Sequence, residues 1–288
     1  MPKGDLSSEY LKKILDPVTN GDNIMMGHKL ATARDDWTVK VDIHGLKEGT
    51  QYVYAFLGPQ GEASPVGMTK TSPKGHVEDL HYAVFSCSNW GFGYFHAYNV
   101  ASIMTKLDFW VHLGDYIYEY GNGNYPYMNA RSGFPFGLEP AWEIVDLQDY
   151  RVRYAMYNSD EALQNLRARA PMIAIWDDHE LTNDAHSTGA QNHQEECEGY
   201  ACTEHEGIYA ARMGNAAKAY LEWMPIRNGR YYLNTGVVDG VDITQVVEWG
   251  DLATLAGFDT RLKSRTESAP KGGGIFDATN PLTIFAAL

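Results

Sequence analysis

Asp177, Asp178, His179 and Glu180 follow directly on the apolar run Met172-Ile173-Ala174-Ile175-Trp176. Three carboxylates and an imidazole at the end of such a run are costly, because buried charge needs a partner. A short apolar run reads as a buried strand. The C-terminal ends of strands are where an open α/β sheet presents its chemistry. The economical positive object among these acids is a metal ion.

Two more strand ends carry side chains able to join such a site. Leu80–Cys87 reads as a strand ending in Cys87, with Asn89 just beyond, and Asp108–Leu113 as a strand ending in Gly114-Asp115. Carboxylate and phenolate oxygens suit a hard cation, and thiolate and imidazole suit a transition metal. Tyr118 stands three residues after Asp115; if the chain turns helically there, that spacing returns it to the same side. A central Asp bridging two ions roughly 3.5–4 Å apart gives the geometry of two-metal hydrolysis, in which a shared water is acidified toward pKa ~7 and becomes a hydroxide nucleophile. His112 alternates with Phe109, Val111 and Leu113 and reads as a packed structural histidine. Arg151, Arg153, Arg167 and Arg169 read as solvated helix faces or salt bridges, and His186 and His193 as exposed or rim residues of a polar loop.

The elements that must position these groups fall into two parts. Trp37–Ile43 and Gln51–Phe56 alternate as half-buried strands should, with a turn at Gly45–Thr50, and together read as a hairpin of a small β-sandwich. Thr71-Ser72-Pro73-Lys74-Gly75 reads as the linker. From Leu80 strands and helices alternate: helices are expected near Ala97–Lys106, over 141–169 and over Glu206–Trp223, and strands again over 229–260. The loop 121–140, with four Gly and three Pro, is expected to cover something.

The 288-residue chain has 44% hydrophobic and 21% charged residues, the composition of a globular protein. A net charge of −14 disfavours nucleic acid and anionic membrane as partners. No apolar run approaches the ~20 residues of a membrane span, and the N-terminal MPKGDLSSEYLKKILDP has no signal-peptide core. Cys197 and Cys202 form a small disulfide or remain two thiols.

Phe85-Ser86-Cys87-Ser88-Asn89, the run His112–Glu119, Ile175–Glu180, Glu222–Arg227 and Phe258-Asp259-Thr260-Arg261 together resemble the motif blocks of the PhoD-like alkaline phosphatases, in the metallophosphoesterase superfamily. The resemblance runs from about residue 30 to 265. It implies an α/β metallophosphoesterase αββα sandwich over 76–288, preceded by a partial immunoglobulin- or fibronectin-like β-sandwich over 1–75. It implies that Cys87 and Tyr118 ligate Fe3+. Asp115 then bridges that ion to Ca2+, or to another divalent ion such as Zn2+ or Mn2+, which Asp178 holds. His179 contacts the phosphate and protonates or stabilises the leaving oxygen, Asp177 is a ligand or the carboxylate that orients His179, and Asn89 is a ligand or a support for one. The implied activity is hydrolysis of phosphate monoesters or diesters, on small molecules or phospholipid head groups. The alternatives are a phospholipase D-type phosphodiesterase on the same site or a non-catalytic metal-binding fragment. Relatives of this kind are largely exported, which suits a Cys197–Cys202 disulfide. They complete their metal site with later histidines, whereas His205 is the last histidine here. The expectation is therefore of a domain lacking its C-terminal strands and some ligands.

Overall fold

A computed structural model describes residues 25–125, 131, 137–195, 206–227 and 243–265. Its centre is a parallel three-stranded sheet of β3 (Tyr82–Phe85), β4 (Phe109–His112) and β5 (Met172–Ala174), in the order β3-β4-β5. The register pairs Val84 with Val111 and Val111 with Ile173. All four residues of β4 are buried, the expectation for the middle strand of a parallel sheet covered on both faces.

Helices α1 (His96–Ser102), α2 (Leu147–Asn158), α3 (Glu161–Arg169) and α4 (Tyr209–Trp223) supply the larger core. Trp110 and Ala174 project into it, beside Tyr98, Tyr154 and Tyr220. The apolar stripe of α2 runs through Tyr150, Tyr154 and Tyr157, all fully buried, at the spacing that puts side chains on one helix face. Asp149 reaches back to the Asp146 amide (3.3 Å) at the start of α2, and Asp160 accepts from Leu163 N (3.0 Å) at the start of α3. On the other sheet face Phe109 and Val111 pack with Trp249. Trp249 belongs to an antiparallel hairpin of β6 (Gln245–Trp249) and β7 (Ala253–Gly257). Among the described residues the second helical layer of an αββα sandwich is not seen, and no helix is long and apolar enough to cross a membrane.

The N-terminal part departs from the expected hairpin. β1 (Gln51–Tyr54) pairs antiparallel with β2 (Gly67–Lys70), not with residues 37–43. Residues 37–43 join no strand ladder, and Trp37, Val41 and Ile43 are exposed. Polar anchors to the helices hold this segment instead. Lys40 donates to the Leu221 and Ile226 carbonyls at the end of α4, Asp36 accepts from Trp223 Nε1 (3.0 Å), and the Arg34 carbonyl accepts from Arg151 (2.8 Å). Alternation alone did not make a strand, because a strand also needs neighbouring backbone to complete its ladder, and among the described residues none pairs with 37–43. The expected linker is likewise docked: Gly250 N donates to Pro73 O (3.1 Å) and Asp251 N to Gly75 O (2.8 Å).

Candidate metal centre

The loops leaving β3, β4 and β5 emerge at the same end of the parallel sheet. Cys87 follows β3, Asp115 follows β4, and Asp177 to Glu180 follow β5. Two of these residues sit in the left-handed backbone region that non-glycine residues avoid, Cys87 at φ 59° and Asp115 at φ 53°. Such strain persists where the surroundings over-determine it, and it clusters at functional sites.

Asp115 is the meeting point. Its Oδ2 accepts from the Cys87 thiol at 3.3 Å and from the Tyr118 hydroxyl at 3.4 Å. Its Oδ1 faces the His179 amide at 3.4 Å. Asp115, Asp178 and His179 each offer a ligand atom, all within 4.8 Å of one another, and all three residues are buried. Tyr118 reaches Asp115 without a helix, through bends in the loop after β4. Burial raises the Asp115 carboxyl above its ordinary pKa, His179 opposes this, and Asp177 and Asp178 reinforce it. Burial also raises the Cys87 thiol and the Tyr118 phenol, and the Asp115 charge adds to both. Thiol, phenol and two buried carboxylates directed at one small volume fit a cation. A cation would stabilise every deprotonated form that burial now disfavours, and thiolate with phenolate is a donor set for a transition metal. Asn89 lies beside this volume in the chain and caps the short turn Trp90–Phe92 through Gly91 N (2.9 Å). Its buried Nδ2 has no hydrogen-bond partner among the described residues.

Asp177 does not orient His179. Its carboxylate faces the guanidinium of Arg261, which also reaches Asp178 at 3.1 Å. The carboxylate on His179 is Glu119, with Oε2 2.6 Å from Nδ1. Burial disfavours a charged His179, but the Glu119 hydrogen bond and the charges of Glu119, Asp115 and Asp178 outweigh it and raise the imidazole to about 9. Burial pushes the Glu119 carboxyl up, yet His179, Asn192 and the Asn183 amide bring it below its ordinary value. The Tyr118 ring lies stacked on the imidazole, centroids 4.2 Å apart.

Glu180 is fully buried and ties the loops together. It accepts from the amides of Asp115 (3.1 Å), Tyr116 (2.5 Å) and Asp177 (2.7 Å). Glu119, Glu180 and Arg261 stand in the clusters and motif runs picked out from the sequence, but were given no role of their own there. The available signal was an acid in the otherwise apolar and aromatic run Tyr116-Ile117-Tyr118-Glu119-Tyr120, the same anomaly that marks 177–180.

Other expectations are corrected. Arg153 is no solvated helix residue: it is fully buried and donates to the carbonyls of Tyr118, Tyr120, Glu139, Pro140 and Trp142. His186 is buried, and His193 pairs with Glu206 at 2.9 Å, so neither is an exposed rim residue. Arg151 does form a salt bridge, with Glu222 at 2.7 Å. His112 is a packed core residue: fully buried, 3.0 Å from both Ser88 Oγ and Tyr98 Oη, with burial driving its pKa down to about 3. Cys197, Cys202 and His205 lie outside the described residues.

Known proteins resemble this chain in sequence and fold. Residues 82–282 match the sequence model of the PhoD-like phosphatase family, and residues 16–73 match that of the PhoD-like phosphatase N-terminal domain. Alkaline phosphatase D of Bacillus subtilis (strain 168) is 33% identical over 242 residues, covering 83% of this chain and 38% of that protein. A solved structure of PhoD superposes with a TM-score of 0.68 at 33% identity, covering 83% of this chain and 42% of that one. The chain thus spans about two fifths of the length of the relatives it matches. On the match over its larger part, this chain belongs to the PhoD-like phosphatase family.

Proposed function

We propose that this chain carries the metal site of a phosphoester hydrolase. The observation that carries the reading is the convergence of the Cys87 thiol, the Tyr118 phenol and the His179 amide on the single carboxylate of Asp115. In this reading Cys87, Tyr118 and Asp115 would hold a ferric ion, and Asp115 with Asp178 would hold a divalent ion such as calcium. Bound ions supply Lewis acidity and lower the pKa of water at the site. His179, with Nδ1 held by Glu119, would protonate the leaving oxygen through Nε2. Glu119 holds the ring while it does so, and Arg261 restrains the Asp177 and Asp178 carboxylates. The substrates are phosphate esters, and export to an oxidising compartment, where phosphate is scavenged, belongs to the same proposal.

The test is to load the purified chain with iron and calcium and offer p-nitrophenyl phosphate and bis(p-nitrophenyl) phosphate. Faster turnover of the monoester marks a phosphomonoesterase, and faster turnover of the bis-ester marks the diesterase reading that includes phospholipase D-type substrates. A visible tyrosine-to-ferric absorption is expected and should vanish in Tyr118→Phe. Iron binding without turnover of either ester would leave a metal-binding protein and remove the hydrolase.

A further inference from the structure

The two oxygens of Glu119 serve different elements. Oε2 takes His179 Nδ1 at 2.6 Å. Oε1 accepts from the Asn183 amide (2.7 Å), Asn192 Nδ2 (3.1 Å) and Thr182 Oγ1 (3.2 Å). The next amide along the chain, that of Asp184, donates to Asp178 Oδ2 at 2.6 Å. Asp184 sits at φ 55°, a left-handed conformation that persists where the surrounding structure over-determines it. Two consecutive amides thus grip two buried carboxylates, Asn183 on Glu119 and Asp184 on Asp178. A displacement of either carboxylate is transmitted to the other through one peptide unit.

We propose that Glu119 is a positioning residue that sets His179 and Asp178 as a single unit. One oxygen accepts from Nδ1–H of the imidazole and leaves Nε2 to face the site, and the other holds the 182–184 turn that fixes the Asp178 carboxylate. Glu119 is fully buried and touches no reacting atom, so it acts only through these two neighbours. Carboxylates that orient histidines in this way are worth about 10–100-fold in activity or metal affinity where they have been removed. The inference deepens the phosphoester reading and rests on it for the roles of His179 and Asp178.

The experiment compares the wild-type chain with Glu119→Gln and Asn192→Ala, each labelled with 15N-histidine, with His179→Ala assigning the signals. Three donors crowd the Oε1 side, so the glutamine keeps its carbonyl there and turns its NH2 toward His179. Long-range 1H–15N spectra of the metal-free chains should show Nδ1 of His179 protonated in the wild type and unprotonated in Glu119→Gln. Asn192→Ala, which touches only the other oxygen, should leave the tautomer unchanged. After metal loading, Glu119→Gln should lower kcat about 10–100-fold with little change in KM. Identical His179 signals in the wild type and Glu119→Gln, or an equal shift in Asn192→Ala, overturn the proposal. A tautomer switch in a chain whose wild type hydrolyses neither ester removes the phosphoester reading and leaves the positioning of His179 standing.

Discussion

Gly114 and Asp177 touch backbone to backbone. A Cβ added to Gly114 would stand 2.5 Å from Asp177 Cβ and 2.6 Å from the Trp176 carbonyl carbon, and closer still to the Asp177 amide. Gly114 also has φ 106°, which side chains other than glycine's rarely adopt. The loop after β4 and the loop after β5 therefore interlock, and this contact brings Asp115 beside Asp178. Gly114→Ala should cost stability at the upper end of the ~1–3 kcal/mol seen for overpacking, with loss of metal binding. Urea unfolding and a metal titration check this, and an unchanged midpoint would show that the loops have room to separate.

Arg153 reaches five carbonyls, those of Tyr118, Tyr120, Glu139, Pro140 and Trp142, and so ties residues 118–120 and 139–142 to α2. Each buried acceptor left without a donor costs about 1–3 kcal/mol. Arg153→Met should therefore lose about 3 kcal/mol or more, and Arg153→Lys, which offers fewer donors, should recover only part of it. A chemical melt of the three proteins decides, and a loss below about 1 kcal/mol would mean that water replaces the guanidinium.

Arg261 shares its guanidinium between Asp177 and Asp178. A fixed positive charge next to a metal-binding carboxylate repels an incoming cation and competes for the same oxygens. Arg261→Ala should bind a divalent cation about tenfold more tightly, an effect of roughly 1.4 kcal/mol. The same variant should be less stable without metal, because it leaves two carboxylates uncompensated. Calorimetric titration with Ca2+ gives the first quantity, and weaker binding would show that Arg261 orders Asp178 more than it competes.

Lys40 ties residues 37–43 to the end of α4. Burial lowers its pKa to about 8, against the opposing charge of Glu222, whereas an unfolded lysine titrates near ~10.4. Below about pH 8 both states are protonated and the fold bears the cost of a partly buried charge. Between about 8 and 10.4 the unfolded chain binds more protons, so stability rises with pH across that window. Measured against Lys40→Met, the wild-type denaturation midpoint should climb from about pH 8 to pH 10. A flat difference would place the amine in water.

The strand ends were legible in the sequence because their signals are local. The strand runs at 80–87, 108–113 and 172–176 each lead into residues able to bind a metal, Cys87, Gly114-Asp115 and Asp177-Asp178, and the C-terminal edge of a parallel sheet accommodates such a series. Cys87, Asp115, Tyr118, Asp178 and His179 could thus be named together as candidates, and the fold gathers the other four around Asp115. The carboxylate serving His179 could not be chosen the same way. Asp177 is two residues away in sequence and Glu119 is sixty, yet Glu119 makes the contact, because Arg261 from beyond β7 draws Asp177 aside. The 37–43 segment failed for the matching reason: alternation is a property of the segment, whereas a strand is a property of a pair. Patterns along the chain determined which side chains gather at one sheet edge. Which acid serves the histidine, and which partner each carboxylate keeps, was decided by packing between residues far apart in sequence, where charge and space are settled only when the chain closes.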